Sequence, residues 1–185
     1  MENTKTKAAF SVKDMAMTAL LAAVTCVLGP LSIPVGLIPV SLTPFAVFLA
    51  VVILGKVRGT ISYVIYLLIG LAGVPVFSGG EGGPAKVFGP TGGYLISFIL
   101  MAFIACIFIE KSEKFWVRFV GCLIALVVSY AFGTVWLMIQ AHMGLLAALI
   151  AAVFKFIPFD VIKIVLALLL GKAVHTALVK ASLID

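Results

Sequence analysis

Long stretches of this chain carry no charged side chain, and that property constrains the fold more than any motif in it. Residues 95–109 and 119–139 contain no Asp, Glu, Lys or Arg. An α-helix needs roughly 20 apolar residues to cross about 30 Å of hydrocarbon. Lipid offers no partner to free backbone N–H and C=O groups, so such runs must be helical. A soluble core can bury one helix of this kind, but here almost every segment has the same character. Of the 185 residues, 64% are apolar and 11% charged, which leaves too little polar surface for a soluble domain. The sequence predicts an all-α integral membrane protein.

Six transmembrane helices are predicted, over residues 12–29, 44–54, 59–72, 93–109, 116–140 and 158–179, in a single membrane domain spanning 1–185. Pro30 ends the first. A charge-free loop with Pro30, Pro34, Pro39 and Pro44 leads into the second. Gly55-Lys56-Val57-Arg58-Gly59 reads as a short charged turn between the second and third, both short enough to require tilt or ordered extensions. Residues 144–156 are apolar but too short to span, which predicts a short re-entrant or interfacial helix before the sixth. Lys5, Lys7 and Lys13 precede an apolar run as in a signal peptide, yet the later spans are equally apolar, so the first reads as a retained helix.

The net charge of +6 comes from basic residues in short clusters between apolar runs, which argues against nucleic acid and reports orientation instead. With six spans, one side carries Lys5, Lys7, Lys13, Lys56, Arg58, Lys111, Lys114, Arg118, Lys172 and Lys180. The other carries Lys86, Lys155 and Lys163. Both termini are therefore expected in the cytoplasm; a seventh span would put Lys172 and Lys180 on the wrong side. Cys26, Cys106 and Cys122 lie in apolar stretches and read as small hydrophobes, with no disulfide or metal spacing.

Residues 73–93 differ from everything else, with eight glycines and three prolines, and cannot be regular helix. They read as an exterior loop, either flexible or folded tightly, by Phe77, Val87 and Phe88, against a partner such as a ligand. Asp160 and Lys163, three residues apart, share one face at the start of the sixth helix. Asp160 suits the positive helix end, whereas Lys163 opposes it and needs a partner at membrane depth. The two are either a purely structural pair or a clamp offering an acceptor and a donor to a small ligand. Glu81 and Lys86 read as solvated loop charges, and Tyr130, Trp116 and Trp136 as belt residues or helix contacts. No phosphate-binding Gly-x-x-x-x-Gly-Lys-Ser/Thr loop occurs, and no pair of residues suits intramembrane proteolysis, so no enzyme is expected. Ala19-x-x-x-Ala23 would permit close helix approach.

Three pieces are more specific in combination: Gly73-Val74-Pro75-Val76-Phe77 with the glycines after it, Phe88-Gly89-Pro90-Thr91-Gly92-Gly93-Tyr94, and Pro158-x-Asp160-x-x-Lys163. With Pro39-Val40-Ser41-Leu42-Thr43, they make the whole chain resemble BioY, the biotin-binding S component of energy-coupling factor (ECF) transporters. Phe159 and Pro44 depart from the residues usual in that family. The resemblance implies capture of biotin from outside, as transported ligand rather than cofactor. Delivery would run through a transmembrane scaffold subunit driven by two ATP-binding subunits, in the cell membrane. It implies a site drawn from Asp160, Lys163, Phe77, Gly79, Phe88, Thr91, Tyr94 and Val40, a loop between the first two helices that closes over the ligand, and a scaffold contact at Ala19 and Ala23. A carboxylate can accept from ureido N–H groups and a lysine can donate to the ureido carbonyl or to the valerate carboxylate. The alternatives are an S component for another vitamin, or a small intramembrane enzyme or scaffold.

Overall fold

The computed structural model describes residues 11–34 and 39–184. Lys5 and Lys7 of the orientation argument, and part of the proline-rich loop, lie outside them. The elements are α1 (Val12–Leu28), a two-stranded antiparallel ribbon of β1 (Ser32–Ile33) and β2 (Val40–Ser41), α2 (Thr43–Leu71), a one-turn α3 (Pro84–Val87), α4 (Gly92–Lys111), α5 (Phe115–Ala141), α6 (Leu145–Leu149), a π-helical turn (Ile150–Phe154) and α7 (Ile157–Lys180). Among the described residues, four helical runs are long and apolar enough to cross a membrane: Thr43–Leu71, Gly92–Lys111, Phe115–Ala141 and Leu145–Lys180. Large apolar side chains such as Phe103, Val127, Ile139 and Leu169 are exposed on the outer faces of these helices, as lipid contact requires.

α2 is not one straight rod. Gly55 has φ 78° and ψ −173°, a conformation close to glycine's exclusive territory, and there the chain doubles back. A Cβ on Gly59 would lie 2.8 Å from the Cα of Val51, a contact impossible between residues eight apart in a straight helix. The two limbs, residues 43–54 and 56–71, therefore pack against each other. The expected five-residue charged turn is corrected to a break at one residue. The reason lies in distant side chains that satisfy the interrupted backbone. His175 Nδ1 lies 2.8 Å from the Ile53 carbonyl, the Lys56 N–H donates to Glu110 Oε1 at 2.8 Å, and Arg58 Nε donates to the Leu54 carbonyl at 3.1 Å. Arg58 is in turn paired with Asp14 of α1. Replacing Gly55 by alanine should destabilise the protein by about 1–3 kcal/mol through backbone strain. A thermal unfolding midpoint equal to the wild type's would contradict this account.

The segment after α5 holds a short helix before the last one, α6, which continues through the π turn into α7 as one 36-residue helical run, Leu145–Lys180. Pro158 has no N–H for the carbonyl four residues earlier, so the α-helical ladder cannot pass through this point unchanged. The chain responds with the π turn and a tight turn at Lys155 and Phe156.

α4 and α5 are pressed together at their glycines: Tyr94 lies over Gly133, Trp136 over Gly93 and Phe108 over Gly121. Hydroxyl pairs bond the same interface, Ser97 with Ser129 at 2.6 Å and Tyr94 with Thr134 at 3.1 Å. The first limb of α2 runs through the centre, with Phe48, Val47 and Val51 fully buried.

Candidate functional site

At the loop-rich end of the bundle, where α2 and α4 begin, a cavity opens between five segments. Pro39, Ser41, Thr43 and Pro44 come from the ribbon and the start of α2, Ser78 and Thr91 from the glycine-rich loop, Tyr94, Leu95 and Phe98 from α4. Tyr130 comes from α5, and Ala152, Phe156, Asp160 and Lys163 from the final helical run. The π turn is what carries Ala152 and Phe156 to the wall.

Asp160 and Lys163 are the cavity's charged groups, 4% and 7% exposed. Asp160 stands in the first turn of α7, where the free N–H groups favour an anion. Lys163 Nζ donates to its Oδ1 at 2.7 Å, and the Tyr130 hydroxyl donates to its Oδ2 at 2.5 Å. Both carboxylate oxygens thus have a donor, and the buried cation has its counter-charge, the condition under which such a pair survives out of water. Each oxygen keeps a further lone pair and the ammonium further protons. The pair therefore presents an acceptor beside a donor to whatever occupies the cavity, within a lining that is otherwise uncharged.

The glycine-rich loop is ordered by named contacts. The Phe77 N–H donates to the Glu81 carbonyl at 2.9 Å and the Gly80 N–H to the Phe77 carbonyl at 3.0 Å, closing a turn in which Gly79 and Gly80 have φ 80° and 71°. The Gly79 N–H donates to Ser32 Oγ at 2.9 Å, joining this loop to the ribbon beside the cavity mouth. Glu81 and Lys86 pair at 3.0 Å. The Trp136 indole N–H donates to the Gly89 carbonyl at 3.0 Å.

Of the residues singled out from sequence, Asp160, Lys163, Thr91 and Tyr94 line the cavity together. Val40 is buried between two lining residues, Pro39 and Ser41. Phe77 is fully buried behind the wall, its ring against Gly70 and edge-on to Tyr66. Gly79 shapes the loop rather than the wall, and Phe88 is 59% exposed outside it. Sequence reasoning missed Tyr130, Ser41, Thr43 and Phe98. Tyr130, read from sequence as a belt residue or helix contact, has its hydroxyl in a charge-free span, as Ser129 and Thr134 also do. Ala19 and Ala23 lie exposed on α1.

Residues 2–180 match the BioY family. The chain is 40% identical over 176 residues to the biotin transporter BioY of Rhizobium etli, covering 89% of this chain and 94% of that one. It is 37% identical over 160 residues to a probable biotin transporter BioY of Pyrococcus horikoshii, covering 86% and 94%. With the biotin transporter BioY2 of Lactococcus lactis it shares 35% identity over 183 residues, 96% and 95% of the two chains. The fold is similar to a crystal structure of the S-component for biotin from an ECF-type ABC transporter, with a TM-score of 0.83, 31% identity and 95% of each chain covered.

Proposed function

The chain belongs to the BioY family, and from that premise we propose that its loop-rich cavity is where biotin is held for uptake. The protein is a biotin-binding membrane subunit of an uptake transporter, not an enzyme. The observation that carries the site reading is the buried Asp160–Lys163 pair facing a cavity whose remaining lining is uncharged. One edge of a ureido ring presents an N–H beside a C=O. Asp160 accepts from the first and Lys163 donates to the second, in charge-assisted hydrogen bonds. Thr91 and Tyr94 flank the ligand, and its apolar body rests on Leu95, Phe98 and Phe156. Phe77, Gly79 and Val40 act from behind, by fixing the loop and ribbon that form the wall, and Phe88 stands at the approach.

The ribbon and glycine-rich loop make a lid joined by the Ser32–Gly79 hydrogen bond. Removing that bond with Ser32→Ala costs about 1 kcal/mol of closed-state stability. The dissociation rate of labelled biotin should rise about fivefold. An unchanged rate would show that the lid does not hold the ligand.

In the membrane, the reading is six crossings: α1, the two limbs of α2, α4, α5 and the final helical run. The basic residues at the opposite end from the cavity put both termini in the cytoplasm and the cavity outside. The partners are ECF subunits: a transmembrane scaffold, docking on α1 at Ala19 and Ala23, and two ATP-binding subunits. The test of function is direct. Purified protein should bind biotin and release it chemically intact, as read by mass spectrometry. A folded preparation that neither retains nor binds biotin overturns the proposal.

A further inference from the structure

We infer that Tyr130 is a positioning residue for ligand capture, acting through Asp160; the inference rests on the site reading above. Tyr130 lies mid-way along α5, and its hydroxyl donates to Asp160 Oδ2 while Lys163 holds Oδ1. A carboxylate with one donor can still rotate about its Cβ–Cγ bond. A donor on each oxygen, one from α5 and one from α7, locks that rotation and aims the unspent lone pairs into the cavity. The phenol spends its single proton in doing so. Lys163 is then the charged donor left at this end of the cavity, and Asp160 the acceptor beside it. That arrangement matches the N–H/C=O edge of a ureido group with both an acceptor and a donor, which a carboxylate cannot satisfy, so it sets the ureido head inward and the acid tail outward.

The placement of the ring gives the hydroxyl its leverage. Tyr130 lines the ligand cavity on one side and, on the other, an apolar groove between α5 and the final helical run, with Val127, Ala131, Leu149, Val153 and Ile157. Its ring is a partition between the two spaces. Phenylalanine keeps the partition and removes only the hydrogen bond.

The experiment is a double-mutant cycle on the purified full chain, with Kd for biotin and thermal unfolding measured on each protein. Tyr130→Phe should bind biotin about 10- to 100-fold more weakly than wild type, the span expected for a hydrogen bond to a charged group. In the Asp160→Asn background the same change should cost no more than about threefold, because the group it served is gone. The same collapse should appear with wild-type Asp160 when the ureido nitrogen that meets it carries a methyl group. A residue that only packs would cost the same factor in every background and for both ligands. That additivity, an unchanged Kd in Tyr130→Phe, or failure of Tyr130→Phe to fold each overturns the inference. Wild-type protein that does not bind biotin overturns the site reading itself, and this result is distinguishable from the other three.

Discussion

Asp160→Asn should weaken biotin binding by at least two orders of magnitude while leaving the cavity's shape intact. Asparagine is nearly isosteric, so the change is one of charge and hydrogen-bond direction. Its amide has one acceptor and one donor end, but the native carboxylate is approached by donors on both oxygens, Lys163 on one and Tyr130 on the other. Whichever way the amide is turned, its NH₂ faces another donor. Lys163 is left as a buried cation without a counter-charge, a situation that costs about 3–5 kcal/mol when one partner of such a pair is removed. A ligand N–H loses a charge-assisted acceptor, a further loss of about 1.5–3 kcal/mol. Part of this appears as lower stability of the free protein and part as lost affinity. Pairing Asp160→Asn with Lys163→Met separates them: the double variant should recover thermal stability and still bind biotin poorly. A Kd within about threefold of wild type in Asp160→Asn would remove Asp160 from the site.

The second large effect is expected at Phe77. The Phe77 side chain is fully buried, edge-on to Tyr66 at 5.5 Å between ring centroids. It fills the hollow left by Gly70, where an added Cβ would come within 2.1 Å of its ring. Truncation to alanine removes a fully packed ring and leaves a cavity, a loss of about 3–5 kcal/mol. For a chain of this length the unfolding midpoint should fall by roughly 6–20 °C. Phe88→Ala, at a position 59% exposed, should shift it by no more than about 2 °C. Equal shifts for the two variants would mean that the loop is not anchored as described. A fall in biotin affinity is expected for Phe77→Ala as well, because Ser78 of the cavity wall is its immediate neighbour.

The two phenylalanines show where sequence reasoning reached and where it stopped. Both are apolar residues in a glycine-rich segment, and nothing local separates the one that turns inward from the one that faces out. The separation comes from Gly70, on another element. Helices and membrane character were legible, because lipid removes every alternative for an uncharged run. Asp160 and Lys163 were legible as exceptional, since charges at membrane depth need a reason. Tyr130 was not, because tyrosines in spans commonly serve as interfacial belts and its partner is 30 residues away. The break at Gly55 was located but drawn too wide. Its narrowness depends on Glu110 and His175, which sequence cannot bring to Lys56 and Ile53. The short helix before α7 was legible from its length, but its continuity with α7 through a π turn was not, because that depends on how the backbone passes Pro158.

The doubling back at Gly55 has a consequence for depth. The central limb of α2, residues 43–54, is about 18 Å long at the helical rise per residue. The surrounding hydrocarbon is about 30 Å thick. With the Gly55 end at the cytoplasmic boundary, as proposed above, a rod of this length stops roughly 12 Å short of the outer one, with Thr43 and Pro44 at its tip lining the cavity. The cup is what remains when a short axle stands inside a taller ring of helices. Its depth is a subtraction, adjustable by a turn of helix. In that proposed placement, a ligand at its floor lies below the plane of the lipid headgroups, stripped of bulk water before any lid closes.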